Sequence, residues 1–178
     1  MALAFRHCDP RFPFLWQTAA QPPARWHGAG EGPANYFCDT PSGAWAEFLR
    51  HEGITDAADL PGVRRGLWAV ELPAIAAGAV ARPALPAAVL LGDESSYPAC
   101  QAAARAARAT GLAWLTAPGA ALLAGQASGW TAAPALAREA AAREGQVWVH
   151  FGACGFVGWP AVEAGRPPVS VLPLVRPL

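Results

Sequence analysis

The sequence predicts an α+β fold: one domain over residues 1–178, with a mixed or antiparallel sheet and flanking helices. Three observations lead there. The chain has 178 residues, which suits a single domain with a real core and would be cramped for two. Apolar residues make up 53% and charged residues 15%, a balance that excludes disorder. Strand-like and helix-like segments come in uneven groups, unlike the regular alternation of a doubly wound parallel sheet. There is no internal repeat and no long linker, and the Ala/Pro-rich run from Pro73 to Ala88 is the best candidate for a loose connection.

Taken in order, "LAFRH" near the start reads as a short strand, followed by a Pro-, Trp- and Arg-rich loop. "NYFCDT" reads as a strand with Tyr36 and Cys38 on one face and Phe37 on the other. "TPSGAWAEFLRHE" reads as a helix: Thr40 is a capping residue, Pro41 suits its first position, Ala44, Trp45, Phe48 and Leu49 supply an apolar stripe, and Gly53 ends it. "GLWAVELP" alternates as a strand, with Leu67, Ala69 and Glu71 opposite Trp68, Val70 and Leu72. "PAAVLLG" is a further, wholly apolar strand candidate. "PACQAAARAARATG" is a helix stopped by Gly111, and "LAWLT" a buried strand. "TAAPALAREAAAREG" reads as another helix, and "QVWVHFG" and "VSVLPLV" as the last strands.

Composition narrows the function. All thirteen basic residues are arginine and the formal net charge is zero, so nothing draws the chain in bulk to nucleic acid or to anionic lipid. Cys8, Cys38, Cys100 and Cys154 form no CxxC pair, which argues against a zinc site and for reduced thiols. The N-terminus lacks a signal-peptide pattern. The apolar stretch "LPAIAAGAVARPALPAAVLLG" is broken by Arg82 and three prolines and cannot form one membrane helix, so the cytoplasm is the expected location.

One segment, residues 24–52, concentrates the polar chemistry: "ARWHGAGEGPANYFCDTPSGAWAEFLRHE". Glu47 and His51 are spaced to share a helix face, as either a substrate-orienting pair or a solvated surface pair. Arg25 precedes Trp26, His27 and the turn "GAGEG"; an arginine fork suits phosphate, and the turn is equally readable as plain surface. "GAGEGPA" does not complete a dinucleotide fingerprint and precedes a strand. Tyr36 offers a ring for stacking or for the core. His7, His27 and His150 are isolated and read as structural, and no HExxH or GxSxG pattern occurs.

In this order of residues the segment resembles the RES-domain family, named for its arginine, glutamate and serine. The matching positions are Arg25 before Trp26, Tyr36 on a strand, and Glu47 and His51 on the helix that begins at "TP". "LWAVELP", "SYPACQAAARAARATGLAWL" and "VWVHFG" extend the resemblance more weakly over most of the chain. It departs at Thr116-Ala117-Pro118, where the family has Ser-Ala-Arg; Thr116 is the nearest hydroxyl, and Ser128 a later one with poorer spacing.

The resemblance implies an ADP-ribosyltransferase-like fold. It implies an enzyme that consumes NAD as substrate, by phosphorolysis or ADP-ribosyl transfer, as the toxin of a toxin–antitoxin pair. The implied partner is an Xre-type antitoxin protein, with no direct nucleic acid and no metal. Arg25 would clamp phosphate or ribose oxygens. Trp26 would wall the pocket, Tyr36 would stack on the nicotinamide ring or its ribose, and Thr116 would add a hydroxyl. Glu47 would stabilise developing positive charge on the ribose, and His51 would bind nearby or meet the acceptor. The missing Ser-Ala-Arg leaves a second reading, a degenerate domain that binds a nucleotide or partner without turnover. So apolar a chain also favours a homodimer.

Overall fold

The computed structural model describes residues 2–133, 136–139 and 141–177. Strands β1 (Ala2–Cys8) and β2 (Ala34–Cys38) precede helix α1 (Pro41–His51) and strand β3 (Arg65–Leu72). Strand β4 (Val80–Ala81), the short helix α2 (Ala87–Leu90) and helix α3 (Tyr97–Ala109) follow. The remaining strands are β5 (Trp114–Pro118), β6 (Trp130–Ala133), β7 (Leu136–Glu139), β8 (Gln146–Phe151) and β9 (Gly158–Gly165).

Seven strands form one sheet in the order β4-β5-β8-β2-β1-β3-β9. Only β4 and β5 pair in parallel, so the sheet is mixed and the α+β expectation holds. Strands β6 and β7 form a separate antiparallel hairpin. The join between β1 and β2 is unusual: the two strands are in register only at Phe5 and Cys38. The sheet is therefore loosely closed at its middle.

Side-chain alternation gives the sheet two apolar faces. One packs against α1 through Leu67, Leu115, Ala117, Val147 and Val149. The other buries Ala4, Phe37, Val70, Leu72 and Trp114, with Phe14 stacked on Trp68 at 4.3 Å. The predicted separation of Cys38 from Phe37 is observed, since the two belong to opposite faces.

Helix α1 follows its sequence closely. Thr40 Oγ1 accepts the Gly43 N–H at 3.0 Å, and Pro41 occupies the first turn. Ala44, Trp45, Phe48 and Leu49 are buried. Gly53, at φ 65°, turns the chain so that the Ile54 N–H reaches the Leu49 carbonyl at 2.9 Å.

Three expected elements differ. "PAAVLLG" is not a strand: Ala87–Leu90 coil into α2, whose Val89 and Leu90 pack on the core, so its apolar run serves a helical turn. "VSVLPLV" is a 3₁₀ helix over Val169–Leu174; Pro173 has no N–H for a ladder, while Val171 is buried. The helix expected over residues 131–145 is replaced, where described, by the β6–β7 hairpin, because local propensity, even alanine's strong one for helix, is a weak prior that tertiary pairing overrides. Pro134, Ala135 and Ala140 of that run lie outside the described residues. Strand β9, unforeseen from the sequence, is a sheet edge, where Pro160 costs no ladder bond.

Candidate active site

A cavity of about 460 Å³ opens where β1 and β2 part, on the side of the sheet that carries α1. That volume is in the range of small-molecule sites. Arg25, Trp26, Tyr36, Glu47 and His51 all line it. A second chamber, of about 390 Å³, shares Arg25, Glu47, His51 and Tyr97 with the first and continues to Arg50, Asp93 and Ser95. The two chambers thus meet at the residues of the polar segment.

Glu47 projects from the middle of α1 and is densely enclosed, keeping contact with the cavity. Burial raises its pKa, while Arg25, Arg50, the Ala121 amide and His51 pull it back. His51, one turn on, is the exposed end of the helix and faces both chambers.

Arg25 is held from several sides. Its Nη1 donates to the Val89 carbonyl at 3.2 Å and to Ser96 Oγ at 3.0 Å, and its Nη2 donates to the Gly92 carbonyl at 2.7 Å. Its guanidinium lies 4.8 Å from the centre of the Tyr97 ring. Arg25 therefore ties the segment between α2 and α3 to the cavity wall, and only part of its fork is left for a ligand. Arg50, which is buried, fastens the same segment: its Nη1 donates to the Ala120 carbonyl at 2.8 Å and its Nη2 to the Leu91 carbonyl at 3.1 Å.

Tyr36 presents its ring, not its hydroxyl. His27 Nε2 is 2.9 Å from the Pro22 carbonyl, so that nitrogen carries the proton and Nδ1 accepts. The Tyr36 O–H donates to His27 Nδ1 at 2.8 Å, and its oxygen accepts the Trp26 N–H at 3.1 Å. Burial pushes the Tyr36 phenol up and the His27 imidazole down, keeping both neutral. The structural reading of His27 is thereby correct. Tyr36→Phe leaves His27 Nδ1 and the Trp26 amide without a partner, and is expected to cost about 1–3 kcal/mol in urea denaturation.

Thr116 does not contribute a hydroxyl to the cavity, and that expectation is corrected. Leu115 and Ala117 point to α1, so alternation sends Thr116 to the other face, where its Oγ1 donates to the Val147 carbonyl at 3.1 Å. Ser128 is not among the lining residues either, and from this stretch Pro118 and Ala120 form the wall. The "GAGEG" turn is surface: Glu31 is clamped on α3 by Arg105 at 2.9 Å and Arg108 at 3.0 Å, and its glycines do not reach the cavity.

Several lining residues escaped the sequence reading. Tyr97 supports Arg25, and β1 adds Arg6 and His7. Arg6 donates to Asn35 Oδ1 at 2.9 Å, and Asn35 also binds the Trp16 backbone at 2.8 and 3.0 Å, pinning the loop that carries Phe12 and Trp16 at the mouth. The signal for His7 was available: period-two alternation puts it on the same face as Phe5.

Among the described residues no group of three or more His, Cys, Asp or Glu could hold a metal ion, and no helix is long and apolar enough to cross a membrane. No curated protein matches the sequence. The family model of the RES domain matches residues 3–149, a span that runs from β1 through β8 and contains every polar residue of the cavity named above. A match over so much of the chain establishes membership, and this protein belongs to the RES domain family.

Proposed function

We propose that the protein consumes NAD by breaking the bond between nicotinamide and ribose, and that it acts as the toxin of a toxin–antitoxin pair. One observation carries the reading: Arg25, Tyr36, Glu47 and His51 come from a loop, a strand and a helix, yet line a single cavity of nucleotide-compatible size. Membership of a family associated with NAD and with toxins supports it.

In the proposed reaction the C–N bond breaks and its electron pair leaves with neutral nicotinamide. Positive charge then builds on the ribose, as in other oxocarbenium-like reactions. Ionised Glu47, held in a low-dielectric wall, stabilises that charge and holds a ribose hydroxyl. The Tyr36 ring and Trp26 supply flat apolar surface for the nicotinamide half. Arg25 brings positive charge to the pyrophosphate. His51 stands where the chambers meet, the point at which an acceptor would approach; phosphate, water or a protein side chain would lose its proton as the new bond forms. The proposed setting is the cytoplasm, with an Xre-type antitoxin protein covering the cavity; a homodimer is a further proposed assembly.

A second reading has its own support. Neither Thr116 nor Ser128 places a hydroxyl on the cavity wall, which favours a domain that binds nucleotide without turnover. The deciding experiment is NAD loss by purified protein, with and without inorganic phosphate, alongside growth after expression of the chain alone. Loss and growth arrest support the enzyme, and dependence on phosphate identifies a phosphorylase. NAD bound but unconsumed, with normal growth, would establish the binding domain in its place.

A further inference from the structure

His7 was read from the sequence as an isolated structural histidine, and the structure puts it in different company. It lines the cavity from β1. The register pairs it with Leu67, so Arg65, two residues earlier on the same face of β3, is its diagonal neighbour. Arg65 Nη2 lies 3.1 Å from His7 Nδ1. A guanidinium has only donors, so Nδ1 must accept and the ring proton must sit on Nε2. Arg65 is fixed in turn: its guanidinium lies 5.0 Å from the Phe48 ring centre, and Nη1 is 4.0 Å from Asp9 Oδ2. The His7 ring meets Phe48 edge-on at 5.4 Å. Burial, followed by the charges of Arg65 and Arg6, holds the imidazole pKa down at about 3, so the ring is neutral at any physiological pH. Among the described residues Nε2 has no hydrogen-bond partner, and it is not sealed away from the cavity. The cavity therefore contains a neutral N–H donor in a fixed tautomer, with no protein acceptor to satisfy it.

We propose that His7 donates its Nε2–H to an acceptor oxygen of the nucleotide that fills the cavity, with Arg65 as the positioning residue that fixes the tautomer. The proposal rests on the NAD reading above. A donor of this kind accepts a hydroxyl, carbonyl or phosphate oxygen and rejects an N–H at the same point. It adds no further charge beside Arg65.

The test compares wild type, His7→Ala and His7→Gln, whose amide N–H reaches about as far as Nε2–H. His7→Ala is expected to raise KM for NAD about 5- to 30-fold with kcat little changed, the loss of one binding hydrogen bond. His7→Gln is expected to recover most of that loss. A structural role alone would not make the glutamine variant recover. The ¹⁵N resonances of His7 in wild type give a measurement that does not depend on a variant folding. The expected result is a protonated Nε2 and an unprotonated Nδ1 from pH 5 to 8, with Nε2 shifting when NAD is added. Arg65→Met should release the tautomer. A wild type that consumes NAD while His7→Ala matches it, or in which NAD leaves Nε2 unmoved, overturns the His7 contact alone. A wild type that neither binds nor consumes NAD overturns the NAD reading first, and the contact with it.

Discussion

Glu47→Gln is expected to slow NAD consumption by at least about 10²- to 10³-fold, the size of effect seen when one charge-stabilising group is removed from a transition state. The same substitution is expected to leave the protein folded and to raise its thermal stability at neutral pH. Both follow from one fact, that burial raises the Glu47 pKa despite the neighbouring arginines. A carboxyl whose folded pKa lies above its unfolded value binds its proton more tightly in the folded state. Its contribution to stability is full below the unfolded pKa and is lost as pH rises through the folded pKa. At neutral pH the ionised carboxylate therefore opposes folding, and glutamine, of the same shape without the charge, removes that opposition. The proposed catalysis needs the ionised form, so activity should rise with pH through a pKa raised from the ordinary glutamate value by burial. Thermal melts of the two proteins and a pH–rate profile of wild type make the check. A variant that loses activity together with stability would place Glu47 in the framework, not in the reaction.

Arg25→Lys is expected to lose both stability and nucleotide affinity. The guanidinium reaches Val89, Gly92 and Ser96 and stacks on Tyr97. A lysine ammonium is a point donor on a flexible stem and cannot reproduce that fork or the flat stack. Gly92 retains a 3.3 Å contact from Arg50, whereas the Val89 carbonyl loses the Arg25 donor. The expected cost is about 2 kcal/mol, held to that size because Arg25 is half-buried. NAD affinity should fall about tenfold or more, because the wall between the chambers depends on the segment that Arg25 ties down. Urea denaturation and tryptophan fluorescence on NAD addition would measure the two effects. A lysine variant equal to wild type in both would show that positive charge alone is what position 25 supplies.

The candidate site was legible in part because its main residues lie in one continuous stretch. Arg25, Tyr36, Glu47 and His51 could be placed on a loop, a strand and a helix by local rules: the Thr40 cap, the Pro41 start, the Gly53 stop and the alternation around Tyr36. The parts that were missed depend on what lies across the sheet. Thr116 matched the expected serine by position along the chain, but its face was set by the buried Leu115 and Ala117. His7 looked isolated until the β1–β3 register brought Arg65 beside it. Tyr36 could be read for its ring alone; the bonds of its hydroxyl with His27 and the Trp26 amide depend on how the loop folds back on the strand.

The sequence by itself determined the α+β class, strands β1, β2, β3, β5 and β8, and helices α1 and α3, since each is specified by periodicity and capping within its own residues. It also singled out the segment from which Arg25, Tyr36, Glu47 and His51 line the cavity, because those residues stand close together along the chain. Only the tertiary structure decided the state of the alanine-rich runs, which became α2 and the β6–β7 hairpin, because local propensity, even alanine's for helix, yields to whatever pairing and burial are on offer. Only the tertiary structure, too, decided which polar groups face the cavity and which are already bonded. Those properties depend on register and contact between residues far apart in sequence, as between His7 and Arg65 or between Arg25 and Gly92.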